Sequence, residues 1–371
     1  MPQNPETVPL ISKKVWWVAS NFQEKLQSVL KQSTFSENVR ADIIDRRYKS
    51  FVSIFKSYGF SESQVSSLFS KRPVLLYYDR DDKIKPKLEF FTKNGFSSSD
   101  LCHILALDPE IIRRNMKDLI IPSYEFLRSV LKDDASVVSA IRRCTWLLKQ
   151  DLGKNLRPNV ELLQSYGVPD DRIAVILRFH PRAMLQSADG FRMVVEEVKE
   201  MGFEPVKSHF ITACQVKCGL SKTMWERKWD CFKKWGWSDD EILAAFMKQP
   251  NIMAVSEKKV DRVMDFLVNK MRWDISKVTC CPIVVMHSLE NWTVPRCLII
   301  QFLLSKGLET EDFPLNRVIV STESRFQENY VEKYSAEFPE LLEIKGHLDV
   351  CAQHVLAIIC YLAQVSNSIT L

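Results

Sequence analysis

The sequence is poor in glycine. Only 10 of its 371 residues are Gly, far below the ~7% usual in soluble proteins. That scarcity disfavours turn-dense β-sandwiches and glycine-rich nucleotide folds. Neither G-x-G-x-x-G nor G-x-x-x-x-G-K-[ST] occurs, so the two common phosphate-cradling loops are absent. There is no C-x-x-C pair and no His-x3-5-His partner for the ten cysteines. A structural zinc site is therefore not expected, and the thiols read as reduced, buried residues of an intracellular protein. Long apolar runs are missing as well. The longest, VLAIICYLA at 355–363, is half of the ~18 residues that a membrane span requires. The first residues, MPQNPETVPLISKKVWWVASNFQ, lack the apolar core of a secretory signal, and with Glu6 and no Arg or Ser enrichment they make no clear transit peptide.

An excess of one charge is also lacking. Lys plus Arg is 51 and Asp plus Glu is 46, leaving +5, which permits a polyanionic partner without demanding one. Hydrophobic residues are 46% and charged residues 26%, enough to build a core. The length fits two or three ordinary domains or one extended array.

What the sequence does contain is a repeat. Gly59, Gly95 and Gly167 are each followed 14 residues later by proline: Pro73, Pro109 and Pro181. The step from Pro73 to Pro109 is 36, and the same step predicts a degenerate member at Thr145. A second proline column, Pro86, Pro122 and Pro158, keeps the same period. Around it run Ile84, Leu88, Phe91; Ile120, Tyr124, Leu127; and Leu156, Val160, Leu163. This i, i+4, i+7 spacing is the buried stripe of an amphipathic helix, with proline near its start where a missing N–H costs nothing.

A second helix follows each glycine. Val65, Leu68, Phe69 become Leu101, Ile104, Leu105, then Val137, Ala140, Ile141, then Ile173, Ile176, Leu177. Ser61 and Ser97 are expected to cap it, and Ser238 with Glu241 makes a capping box. The anchor proline stops it. Two apolar residues then enter the core as a short turn: Leu75-Leu76, Ile111-Ile112, Leu147-Leu148 and Ala183-Met184. Later copies drift. Gly202 predicts an anchor at Val216, Gly236 gives Pro250, and a shorter seventh copy ends at Pro282. Trp225, Trp229 and Phe232 read as core packing rather than base stacking. One unit cannot bury its apolar face alone, and stacking does. The expected fold is an all-α superhelical solenoid of about seven helix-turn-helix-Pro repeats of ~32–36 residues. It spans 41–340 as one domain, between divergent segments 1–40 and 341–371.

The strings SYGFSESQVSSLFSKRPVLL, IKPKLEFFTKNGFSSSDL, KKWGWSDDEILAAFMKQPNIMAVSEKKVDRVMDFLVNKM and VPRCLIIQFLLSKGL, with its Pro295-Arg296 pair, resemble the mitochondrial transcription termination factor (mTERF) family in its plant-type form. The resemblance covers roughly residues 40 to 340. It implies a helical superhelix that binds nucleic acid, double-stranded DNA or RNA, in mitochondria or chloroplasts. It also implies a non-enzymatic role in transcription termination or regulation, RNA processing, splicing or ribosome assembly, beside organellar transcription or RNA-processing proteins. No cofactor, metal or membrane partner is implied, and a monomer is expected.

A nucleic-acid-binding solenoid needs Lys and Arg aimed at phosphates. The candidates gather around the anchors: Lys71, Arg72, Arg113, Arg114, Arg142, Arg143, Lys149, Arg178, Arg182, Lys217, Lys248 and Arg296. Asp133-Asp134, Asp170-Asp171 and Asp239-Asp240 fall at the other end of the second helix, where negative charge suits the helix dipole. One basic and one acidic edge are therefore expected. The carboxylate pairs have this structural role, His180, His209 and His287 lack repeated partners, and no nucleophile motif occurs, so an enzyme is not expected. The alternative is a protein-interaction scaffold that makes no direct nucleic-acid contact.

Overall fold

The computed structural model describes residues 37–342 apart from 72–74, 77–78 and 311, with side chains from residue 45 onward. Arg72, Pro73, the apolar run 355–363 and nearly all of the two terminal segments lie outside these residues. Among the described residues every regular element is helical. The fold is of the all-α helical-repeat solenoid class, and the chain divides into two compact units between Phe191 and Arg192.

In the N-terminal unit each repeat is a first helix, a tight turn, a second helix and an anchor turn. The second copy shows the plan. Its first helix, Lys85–Lys93, ends at Gly95, which has φ 85°. Ser97 caps the second helix, Ser98–Leu107, in a reciprocal box with Asp100. The anchor turn is the 3₁₀ segment Pro109–Arg113. The third copy pairs Ile121–Leu131 with Asp134–Arg143 and turns at Thr145–Leu148. The fourth pairs Leu152–Ser165 with Asp170–Phe179 and turns at Pro181–Met184. Ser61 and Gln64 reproduce the reciprocal cap in the first copy: each backbone N–H donates to the other side chain, at 2.8 and 3.2 Å. All the apolar columns read from the sequence are buried, and so are the two-residue plugs after each anchor.

The C-terminal unit repeats the plan with variations. Lys222–Lys234 and Asp239–Lys248 flank Gly236, and Pro250–Ala254 is the anchor turn. The shorter copy runs from Glu257–Met264 to Ile275–Thr279 and Pro282–Met286. Val294–Ser305 and Leu315–Val320 add a further pair around Gly307. The anchor expected at Val216 does not form. Helix Ser208–Cys218 runs straight through that position. Val216 keeps the N–H that proline would lack, and the apolar plug two and three residues on is replaced by Cys218-Gly219. Thr145 also lacks proline, yet it retains Leu147-Leu148 and breaks as expected. The plug, more than the proline, decides whether an anchor turn forms.

A second device closes the repeats. An anchor turn ends with carbonyls that no helix satisfies. A side chain on the first helix of the same copy reaches over and donates to them. Arg47 Nε meets the Leu76 carbonyl at 2.7 Å. Asn159 Nδ2 meets those of Met184 and Gln186 at 3.0 and 2.9 Å. Lys228 Nζ meets Val255 at 2.5 Å, and Lys259 Nζ meets Met286 at 2.6 Å. Arg296 does the most. Its Nη1 donates to the Val318 and Ser321 carbonyls, both at 2.7 Å, and its Nη2 donates to Glu323 at 2.8 Å.

Candidate nucleic-acid interface

The anchor region is where the second helix ends and the chain turns inward, so its side chains divide sharply between core and solvent. In the copies that form an anchor turn the residue two before the anchor is exposed, at Lys71, Leu107, Arg143, Phe179, Lys248 and Cys280, whereas in the copy around Gly202, which forms none, that position is the buried Cys214. Lys71 and Lys248 end their helices without a partner among the described residues. Arg182, one residue past Pro181, is likewise exposed. Arg113 is exposed but bridges Glu110 at 2.8 Å, and Arg114 is half-buried beside it.

Copies two, three and four are stitched together along this edge. Lys149 bridges Asp108 of the preceding copy at 2.7 Å. The Arg143 guanidinium lies 5.1 Å from the centre of the Phe179 ring in the following copy, and that of Arg178 lies at the same distance. Lys149 also lies 5.4 Å from the Trp146 ring. Burial and the neighbouring Arg143 charge both hold the His180 imidazole below its ordinary value, so it adds no charge at neutral pH. The second helices of copies two and three also border an open cleft of about 560 Å³, whose lining includes His103, Ser139, Arg142 and Arg143.

Four candidates stand differently from expectation. Arg296 is buried, with 1% of its surface exposed. Its guanidinium lies 3.6 Å from the Trp292 ring and 4.7 Å from that of Phe326, and its protons go to backbone carbonyls and Glu323. It follows a first-helix proline, in the column of Pro86, Pro122 and Pro158, and not an anchor. The residue after those prolines, Lys87, Ser123 or Asn159, is buried and polar in each case. Lys217 bridges Glu197 at 2.6 Å and lies 3.9 Å from the Trp225 ring. It belongs to the copy whose anchor is missing, so no turn projects it outward. Arg142 donates to Asp100 at 2.7 Å, and Lys149 is held by Asp108.

The expected separation of a basic from an acidic edge is correspondingly reduced. The acids do sit at the starts of the second helices. Burial alone would raise the Asp100 carboxyl, but hydrogen bonds from Ser97 and the Arg142 guanidinium together hold it below the carboxylate range. First-helix cations answer others: Arg128 meets Asp134 and Lys233 meets Asp239, both at 2.9 Å. What survives as charge with no bonded carboxylate is narrower: Arg143, Arg178 and Arg182 at the anchors of copies three and four, Lys71 and Arg114 in the first two copies, and Lys248 in the C-terminal unit.

Sequence reasoning missed the aromatics of this edge. Trp146 is 58% exposed and Phe179 42%. Their signal was available: both are large rings lying off the buried stripe, one and two residues from an anchor. Trp225 and Trp229 are half-buried and packed, Trp225 edge-on to Phe246 at 5.1 Å and Trp229 Nε1 donating to Asp239 at 2.5 Å. Among the described residues no group of three His, Cys, Asp or Glu side chains is placed to hold a metal ion. Burial pushes the Cys218 and Cys281 thiols up to about 12, far from the reactive thiolate range. No helix among them is long and apolar enough to cross a membrane.

Comparison with known proteins agrees with the repeat. The mTERF family model matches residues 52–218 and again 212–327. A mitochondrial transcription termination factor of Arabidopsis thaliana, MTERF15, is 25% identical over 326 residues, which cover 86% of this chain and 61% of that protein. The chain thus matches under two thirds of the length of this relative.

Proposed function

Since the chain belongs to the mTERF family, we propose that it is a non-enzymatic nucleic-acid-binding protein of organellar gene expression. The observation that carries this reading is the cluster at the anchors of copies three and four. Arg143, Arg178 and Arg182 lie there on adjacent turns with no carboxylate bonded to them. Arginine on helix ends meets phosphate oxygens in a two-pronged geometry that lysine cannot offer. The relative's name supports mitochondria as the compartment and transcription termination as the process.

The test is a binding titration of the purified chain against random duplex DNA, single-stranded DNA and single-stranded RNA over a salt series. Binding should weaken steeply with salt, because phosphate contacts release counterions. The triple variant Arg143→Gln, Arg178→Gln, Arg182→Gln should lose roughly tenfold or more in affinity on every sequence at low salt. Unchanged affinity in a variant with native circular dichroism would remove this edge from the interface. No binding of the native chain to any of the three would favour the protein-scaffold reading instead.

A further inference from the structure

Large aromatic rings are mostly buried in folded proteins. On the anchor edge of the N-terminal unit two rings remain open, Trp146 at 58% and Phe179 at 42% exposed. They occur in consecutive copies, one residue after the anchor and two before it. Leu107, 61% exposed, occupies the Phe179 position two copies earlier. The fold turns this column outward in the copies that form an anchor turn, so the residues placed there are not part of the core.

The surroundings of the rings are cationic. Lys149 lies over Trp146, while Arg143 and Arg178 lie over Phe179. Asp108 is neutralised by Lys149, Glu110 by Arg113 and Asp100 by Arg142, and Asp133 is within electrostatic reach of Arg178 without an ion pair to it. At Phe179 an exposed ring beside the Arg143 and Arg178 guanidinium groups, neither bonded to a carboxylate, matches a flat, polarisable ligand joined to negative charge, and Trp146 one copy earlier adds a second exposed ring. A nucleotide has both parts: a base to stack and a phosphate for the arginine. Within a duplex the base faces are covered by their neighbours and only edges are reachable. A ring on a protein surface stacks on an unpaired base without the cost of unstacking a paired step.

We infer that Trp146 and Phe179 are stacking platforms for unpaired bases, so that the anchor edge of copies three and four takes single-stranded nucleic acid in preference to duplex. This rests on the nucleic-acid reading above and specifies its substrate class. The arginines supply affinity for any phosphate chain, and the rings supply the preference for a single strand.

The experiment measures the affinity of the full chain for a labelled single-stranded RNA, the same sequence as single-stranded DNA, and the corresponding duplex. It uses the native chain and three variants: Trp146→Ala, Phe179→Ala and Trp146→Phe. Both side chains are largely outside the core, so the fold should survive, which circular dichroism checks. Each alanine variant should lose roughly tenfold or more on single strands, the scale of one stacked base. Duplex affinity should change less than about twofold and the salt slope should be unaltered, because no phosphate contact is removed. Trp146→Phe, which keeps a ring, should retain most of the affinity. Equal losses on duplex and single strand would overturn the inference while leaving nucleic-acid binding in place. So would unchanged single-strand affinity in both alanine variants. Loss of a co-purifying protein from the alanine variants, with nucleic-acid affinity intact, would reassign the rings to a protein partner. Failure of the native chain to bind any nucleic acid would refute the underlying reading itself.

Discussion

Arg296 illustrates how much one side chain can hold. Its guanidinium, 1% exposed, satisfies the Val318 and Ser321 carbonyls at 2.7 Å each. Replacing it with Leu would strand both carbonyls, and losing one member of a buried charged network typically costs about 3–5 kcal/mol. Arg296→Leu should therefore lower the urea midpoint of the C-terminal unit sharply, and Arg296→Lys should fall between. A folded Arg296→Lys protein should bind nucleic acid as the native chain does; a large loss of affinity there would return Arg296 to the interface. Glycine makes a second residue-scale case. Gly59 and Gly167 have φ 82° and 77°, a region that L side chains rarely adopt. A Cβ on Gly59 would come within 3.0 Å of Ser98 Cβ, whereas one on Gly167 meets nothing within 4 Å. Both alanine variants should pay about 1–2 kcal/mol of backbone strain, and Gly59→Ala should be measurably worse in thermal unfolding. In the third copy Lys132 holds φ 71° where its neighbours use glycine. Lys132→Gly should stabilise by up to ~1 kcal/mol, less the entropy glycine loses on folding.

At the scale of one element, the first helix of copy two lacks its clasp. Lys87 occupies the column of Asn159 and Arg296 but donates to the Lys83 carbonyl of its own helix, at 2.9 Å. Burial, with the Lys83 charge adding to it, pushes the Lys87 ammonium down to about 8. The folded value lies below the unfolded ~10.4, so the folded state binds fewer protons between those two values. Stability should then rise with pH from about 8 to about 10.4, and the buried charge is a cost at neutral pH. Lys87→Met should raise the unfolding free energy at pH 7 by about 1–2 kcal/mol in urea denaturation and flatten that rise. If the pH profile of Lys87→Met matches the native one, the ammonium is not the titrating group. This helix also marks the limit of what could be read in advance. The stripe Ile84, Leu88, Phe91 and the caps at Ser61, Ser97 and Ser238 were legible because they depend on spacing within one helix. The clasps were not, because donor and carbonyl lie 25 to 29 residues apart, on the first helix and at the anchor turn of one copy, and the donor type varies among Arg, Asn and Lys. Arg142 and Asp100 are farther apart still, on different copies. Basic and acidic ends were legible as positions, but not the fact that a guanidinium of one copy would reach a carboxylate of the copy before it.

For the whole molecule, net charge is the wrong measure of affinity for a polyanion. The chain carries only +5, but what binds phosphate is the set of cations that no carboxylate already holds. Among the candidates at the anchors of the N-terminal unit these are Lys71, Arg114, Arg143, Arg178 and Arg182. Full engagement of these five on a single strand would give a slope of log K against log salt near −3.5, at ~0.7 per contact. The triple Arg→Gln variant should reduce that slope by about 2. The converse experiment separates local from global charge. Asp100→Asn would release Arg142, which is 45% exposed and bonded to Asp100 at 2.7 Å. It should steepen the slope by ~0.7 and raise affinity at low salt. Weakening the Ser97 capping box would cost about 1 kcal/mol of stability. Glu226→Gln makes the same change in net charge on the exposed side of helix Lys222–Lys234, remote in sequence from the anchors of copies two to four. Its slope should stay at the native value. If the two variants gain equally, long-range attraction by the whole molecule controls binding and the pairing at Arg142 has no bearing on it. If only Asp100→Asn gains, affinity is set residue by residue along the anchor edge, and the cross-repeat ion pairs that stabilise the stack also limit how strongly it can bind.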